Sequence, residues 1–241
     1  GFDKKLWTAE SVAGQNAVKF SYTSPDGEEG YPGTLKVTAT YTLTDSNALE
    51  VAYTATTDKT TLCNLAHHSY FNLAGHNSGD ILKHVLTLKA DNYTPTDATL
   101  ITTGKITPVA GTPYDFSKPQ EIGAKLKEIK SDPVGYDVNF MMNPATASES
   151  AAVVVEPVSG RIMTVSAKGY PGLQFYSGNF LDGTNVGKGG AVYKQYNGFC
   201  FEAQTFPDAI NKTGVEGWTQ PILKPGETYS KTTVYDFGVT N

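Results

Sequence analysis

Thr34-Leu35-Lys36-Val37-Thr38-Ala39-Thr40-Tyr41-Thr42-Leu43 decides the fold class of this chain. Apolar Leu35, Val37, Ala39, Tyr41 and Leu43 alternate there with polar Thr34, Lys36, Thr38, Thr40 and Thr42. Strand side chains alternate between faces, so a period of two marks a strand with one buried face and one wet face. Asp45-Ser46-Asn47 then supplies turn chemistry. Leu49, Val51, Tyr53 and Ala55 resume the alternation, and the two runs read as an antiparallel hairpin. Upstream, Val18, Phe20 and Tyr22 form a shorter run that ends at Ser24-Pro25-Asp26-Gly27. Downstream, strands are predicted at 81–88, 151–156, 161–167, 172–177, 198–203 and 228–237. One short helix is predicted over 117–129, with Ser117 as cap, Pro119 in the first turn and Ile122, Leu126 and Ile129 on one face, although Gly123 weakens it. Thr146-Ala147-Ser148-Glu149-Ser150 reads as a loop tip.

The 24 glycines and 13 prolines are spread along 241 residues, as frequent turns require, and no linker, repeat or low-complexity tract divides the chain. These features predict an all-β chain, residues 1–241 forming a single antiparallel sandwich or barrel. A net charge of −5 without a long Lys/Arg run argues against nucleic acid as a partner. The longest wholly apolar run, Ala151–Val155, is too short to span a bilayer. Cys63 and Cys200 lie in apolar, strand-like segments and read as buried free thiols rather than a disulfide framework. The sequence reading favours the cytoplasm. An extracellular location stays open because Asn92-Tyr93-Thr94 and Asn211-Lys212-Thr213 are glycosylation sequons. Gly1-Phe2-Asp3-Lys4-Lys5-Leu6-Trp7 reads as neither a signal peptide nor a tag, which points to a chain processed, cleaved or incompletely determined at its start.

Four segments carry residues suited to chemistry. In Gly198-Phe199-Cys200-Phe201-Glu202-Ala203-Gln204-Thr205-Phe206-Pro207-Asp208, alternation puts Cys200 and Glu202 on the face opposite Phe199 and Phe201. A carboxylate among such neighbours is a candidate general base, because desolvation raises its pKa toward neutrality; a strand-end glutamate in an ion pair has the same local pattern. In Asn64-Leu65-Ala66-His67-His68-Ser69-Tyr70-Phe71-Asn72-Leu73-Ala74-Gly75, adjacent His67 and His68 point to opposite faces if the segment is extended. That makes them poor joint metal ligands, and a histidine facing a polar cleft suits proton transfer, or else simple structural bonding. No HExxH or paired CxxC occurs, so no metal is expected. Asp137 in Gly135-Tyr136-Asp137-Val138-Asn139-Phe140 is a candidate acceptor for a sugar hydroxyl. Gln174 and Asn179 in Gly169–Phe180 are neutral hydrogen-bonding groups beside aromatic rings. Aromatic faces with Asn, Gln and Asp are what a polyhydroxylated ring needs: surface to stack on and partners that orient its hydroxyls.

Together these blocks resemble the aldose 1-epimerase (galactose mutarotase) family. The resemblance runs through Gly1-Phe2-Asp3-Lys4, Glu29-Gly30-Tyr31-Pro32-Gly33, Asn64–Gly75, Tyr93-Thr94-Pro95, Gly111-Thr112-Pro113-Tyr114-Asp115-Phe116, Gly135-Tyr136-Asp137, Gln174–Asn179, Gly198–Asp208 and Leu223-Lys224-Pro225-Gly226-Glu227-Thr228-Tyr229. It implies a large antiparallel β-sandwich with few short helices, an open sugar cleft and no cofactor. It further implies a hexose substrate, His68 as general acid, Glu202 as general base, and Asp137 and Gln174 as sugar-binding residues. His67, Tyr70 and Asn179 are further candidates for substrate contact.

The chain departs from the family pattern in four places. The family carries an N-terminal segment, with an Arg and a His-Gly-Gly motif whose His also contacts the sugar, ahead of the position of Gly1. The resemblance therefore implies that a further segment or a partner chain completes the fold and the site. His67 stands where the family usually has Asn, Val138 where it usually has His, and Thr205 where His is frequent. Two other functions fit the same residues. One is a non-catalytic carbohydrate-binding or interaction protein of the same fold. The other is a glycoside hydrolase using Asp137 and Glu202 as paired carboxylates.

Overall fold

The computed structural model of the chain describes residues 1–142 and 150–240. The expected loop tip at 146–150 lies outside the described residues except for Ser150. The strands in chain order are β1 (Thr8–Ser11), β2 (Ala17–Ser24), β3 (Leu35–Leu43), β4 (Ala48–Thr57), β5 (Thr61–Leu62), β6 (Val85–Leu88), β7 (Asn92–Thr94), β8 (Thr107–Pro108) and β9 (Gln120–Glu121). They continue with β10 (Asp137–Met141), β11 (Ala152–Val155), β12 (Arg161–Ser166), β13 (Gly172–Tyr176), β14 (Asp182–Val186), β15 (Val192–Lys194), β16 (Cys200–Gln204), β17 (Ile222–Leu223) and β18 (Tyr229–Val239).

Nine strands form one sheet in the order β1-β2-β3-β4-β18-β12-β11-β6-β9, and five form a second in the order β16-β13-β10-β7-β8. Their pairings are antiparallel throughout. The hairpin read from the Leu35 alternation is β3–β4, with Leu35 opposite Thr57 and Leu43 opposite Leu49. Leu35, Val37 and Ala39 are buried and Tyr41 is half-buried, while Leu43 emerges at the strand end.

One apolar cluster spans both sheets and makes the structure a sandwich. Leu86, Val154, Met163, Val165 and Tyr235 enter it from the large sheet, and Phe140, Leu173, Phe175 and Phe201 from the smaller one. The rings of Phe175 and Phe201 stack at 5.2 Å between centroids. Burial fades toward the β1 edge, where all four strand residues are exposed. There Phe2, Trp7, Phe20, Tyr41, Tyr53 and His67 line a cavity of about 880 Å³.

The helix expected over 117–129 does not form. Gln120 and Glu121 pair with Leu86 and Val85 as strand β9, and only Leu126–Glu128 make a single 3-10 turn. The apolar residues of the pattern are buried as expected: Ile122, Leu126 and Ile129 all enter the core. Their backbone is committed elsewhere, because Ile122 N–H donates to His84 O and Gly123 N–H to Leu82 O, each at 2.9 Å. A Cβ at Gly123 would stand 3.1 Å from Leu82 O, so this close approach uses glycine. The strand expected at 81–88 is also shorter. Residues 81–84 turn, with His84 N–H donating to Ile81 O, before β6 begins at Val85. No helix among the described residues is long and apolar enough to cross a membrane.

Candidate functional site

The site is written on one face of the smaller sheet. On β13, Leu173 and Phe175 go into the core, so Gln174 and Tyr176 face the other way. Register carries that face across the neighbouring strands: Gln174 lies opposite Glu202 on β16 and opposite Asn139 on β10, and Tyr176 lies opposite Cys200 and Asp137. Residues directly opposite in an antiparallel pair share a face. Glu202, Cys200, Gln174, Asp137, Asn139 and Tyr176 therefore converge although they come from three segments of the chain.

His68 reaches this face from a segment without regular structure that lies along the outer edge of β16. Two clamps hold that segment antiparallel to the strand. At one end Thr205 N–H donates to Asn64 Oδ1 at 2.9 Å and Asn64 Nδ2 donates to Thr205 O at 3.1 Å. At the other, Phe71 N–H donates to Phe199 O at 2.8 Å and Phe199 N–H to Phe71 O at 2.9 Å. An Asn side-chain amide thus stands in for a backbone partner, and the exposed strand edge is paired. Between the clamps the adjacent histidines diverge. His67 is buried, with Nδ1 3.1 Å from the Tyr235 hydroxyl and Nε2 2.9 Å from Ser69 Oγ. His68 is half-exposed, and its Nε2 lies 3.6 Å from Glu202 Oε1.

That separation exceeds a direct hydrogen bond, so the two atoms stand side by side and each is open to a substrate oxygen laid over them. Cys200 Sγ lies 3.5 Å from His68 Nδ1. Burial, with the Glu202 and Asp137 charges added, pushes the Cys200 thiol well above the ordinary range, so it keeps its proton. The rings of Tyr70 and Tyr176 flank His68 at centroid distances of 5.3 and 6.0 Å.

The carboxylates are tuned by their surroundings. Burial raises the Glu202 pKa, opposed by the His68 charge and reinforced by Asp137. Burial also raises that of Asp137, opposed by the hydrogen bond from Gln174 and by His68. Gln174 Nε2 donates to Asp137 Oδ1 at 2.7 Å, while Gln174 Oε1 is buried without a partner among the described residues. An orphaned buried acceptor is costly unless something supplies a donor, and a sugar hydroxyl is such a donor. Asn139 donates Nδ2 to Thr94 Oγ1 at 3.0 Å and likewise leaves its Oδ1 unpaired among the described residues.

His68, Glu202, Asp137, Gln174 and Tyr70 thus come together, and two further candidates do not. His67 turns away from the Glu202 face into the interior. Asn179 is buried, donating Nδ2 to Pro133 O at 3.4 Å and accepting from Ser177 Oγ at 3.3 Å. It braces the turn before Asp137, where a Cβ on Gly135 would come within 2.4 Å of Asn179 Cβ. Val138 points into the core, and Thr205 serves through its backbone. The structure adds Cys200, Tyr176 and Asn139 to the site. Alternation already put Cys200 beside Glu202; its contact with His68 joins residues 132 apart, which no local pattern encodes. Among the described residues, no three His, Cys, Asp or Glu side chains are placed to share a metal ion.

Comparison with known proteins fits this geometry. The sequence model of the family described as aldose 1-epimerase matches residues 1–236. Galactose mutarotase of Rattus norvegicus is 49% identical over 239 residues, covering 99% of this chain and 67% of that protein. Aldose 1-epimerase of Escherichia coli K12 is 36% identical over 247 residues, covering 98% of this chain and 68% of that protein. Among solved structures, an aldose epimerase homologue from C. elegans superposes with a TM-score of 0.86 at 28% identity, over 98% of this chain and 70% of that one. Galactose 1-epimerase from Lactobacillus acidophilus NCFM gives 0.83 at 29% identity, over 99% and 68%.

Proposed function

Since the chain belongs to the aldose 1-epimerase family, we propose that it interconverts the α and β anomers of a free hexose, glucose or galactose, by opening and reclosing the ring. Glu202 takes the proton from the anomeric hydroxyl while His68 gives its Nε2 proton to the ring oxygen. The bond between the anomeric carbon and the ring oxygen breaks, leaving an aldehyde. Rotation about C1–C2 presents the other face of the carbonyl to the C5 hydroxyl. His68 then takes the hydroxyl proton back, Glu202 returns its proton to the carbonyl oxygen, and the ring closes as the opposite anomer with both residues restored.

One observation carries this reading: His68 Nε2 stands 3.6 Å from Glu202 Oε1 at a carboxylate whose pKa burial raises. A base of raised pKa takes a proton from a hydroxyl more readily, and an acid and base that exchange roles serve both directions of a reaction without net change. Asp137, Gln174 and the Tyr70 and Tyr176 rings supply the acceptors, donors and apolar faces that hold the sugar. Polarimetry of freshly dissolved α-D-glucose and α-D-galactose tests the proposal. Relaxation should quicken in proportion to protein concentration with at least one sugar; decay at the buffer rate with both would end it.

A further inference from the structure

His67 and Tyr235 form a buried link between the two sides of the site. The Tyr235 hydroxyl donates to Phe201 O at 2.9 Å, which uses its only proton. Toward His67 Nδ1, 3.1 Å away, it can then only accept, so that nitrogen carries the ring proton. Burial holds the His67 pKa down to about 4, with the His68 charge adding to the effect, so the ring is neutral and Nε2 is bare. Nε2 therefore accepts from Ser69 Oγ–H at 2.9 Å. The result is a one-way chain: Ser69 O–H to His67, His67 Nδ1–H to Tyr235, Tyr235 O–H to the Phe201 carbonyl.

The ends of this chain are the informative part. Ser69 directly follows His68, and Phe201 directly precedes Glu202. Tyr235 is fully buried and comes from the opposite sheet. Its ring and that of His67 are 5.2 Å apart, and the Tyr41 ring packs on His67 at 5.7 Å. The outer clamps at Asn64 and Phe71 hold only the ends of the segment. We propose that His67 and Tyr235 are positioning residues which fix the spacing and aim of His68 relative to Glu202. This rests on the acid–base roles proposed above for those two groups.

Tyr235→Phe, which removes one oxygen, and His67→Leu should each lower kcat by roughly tenfold to a hundredfold, the cost of a misplacement near 1 Å, while KM stays within about twofold. His67→Asn should keep more of kcat than His67→Leu, because its Nδ2–H can stand where Nδ1–H donates to Tyr235. In a His68→Asn background Tyr235→Phe should cost nothing more, since the link acts through His68; a merely structural tyrosine would cost the same in both backgrounds. Should His67→Leu fail to fold, Tyr235→Phe carries the kinetic test. Nitrogen-15 spectra of the imidazoles give a readout independent of turnover: His67 in the Nδ1–H form, and His68 ring signals displaced by Tyr235→Phe. Undiminished kcat in Tyr235→Phe, or an Nε2–H tautomer at His67, overturns the inference. A wild-type chain without mutarotase activity would overturn the proposed function instead, and the spectra would still judge the link.

Discussion

Replacing Glu202 by Gln should separate the activity of this protein from its stability, with opposite signs. The amide keeps the shape and volume of the side chain but neither ionises nor accepts the anomeric proton. A positioned proton-transfer group contributes about 10²–10⁴-fold, which is about 2.7–5.5 kcal/mol of barrier. Loss of that size is expected in kcat measured by polarimetry, with little change in KM because Asp137 and Gln174 are untouched. Stability should move the other way. The folded-state pKa of Glu202 is raised chiefly by burial, so the fold prefers the protonated form. Below the unfolded pKa, about 4.3 for a glutamate, both states are protonated and variant and wild type should melt alike. As pH rises through the higher folded pKa, the wild type must charge a buried group beside Asp137 and loses stability that Glu202→Gln retains. Thermal melts at pH 4 and pH 8, each comparing the two proteins, should show the variant's advantage only at the higher pH. A variant with near-normal turnover, or one that melts lower than wild type at pH 8, would refute the reasoning.

Asp137→Asn removes a charge that helps raise the Glu202 pKa, so the acid limb of the kcat/KM profile should move to lower pH while KM for the sugar rises. Phe175→Ala takes away a fully buried ring stacked on Phe201 beneath the site and should cost about 3–5 kcal/mol in urea unfolding. Glu28 is held by Lys5 Nζ at 2.6 Å, Ser24 Oγ at 2.7 Å and the Tyr22 hydroxyl, which lower its pKa to about 2. Its contribution is present above the ordinary glutamate range and is lost as pH falls through about 2. Glu28→Gln should therefore lower the melting temperature at pH 7 and leave it unchanged near pH 2.

Period-two patterning carried the architecture well where a strand has one dry face and one wet face, as in β3, β4 and β18. It failed over 117–129, where the spacing of Ile122, Leu126 and Ile129 buries three side chains without a helix. Those apolar positions report burial, and backbone amides captured by His84 and Leu82 override the spacing. At the site, alternation alone put Cys200 and Glu202 on one face. It could not bring them to Gln174 and Asp137, because that juxtaposition depends on the register of β16, β13 and β10. The divergence of His67 and His68 was legible from an extended backbone, but which of them meets Glu202 came from the family resemblance and not from the local pattern. That choice rests on Tyr235, distant in sequence, which takes His67 into the interior. Asn179 illustrates the converse: a polar residue beside aromatic rings looks like a sugar contact until Gly135 and Pro133 close over it.

The central claim is that His68 and Glu202 together pass protons to and from a hexose so that its ring opens and recloses. Proton NMR at equilibrium tests it without a coupled assay: the H1 signal of α-galactose or α-glucose is saturated and the loss of β-anomer H1 intensity is followed. With the wild-type chain, transfer should grow in proportion to protein concentration, and in His68→Asn and Glu202→Gln it should fall toward the protein-free level. Equal transfer with and without wild-type protein for both sugars, or undiminished transfer in both variants, would contradict the account.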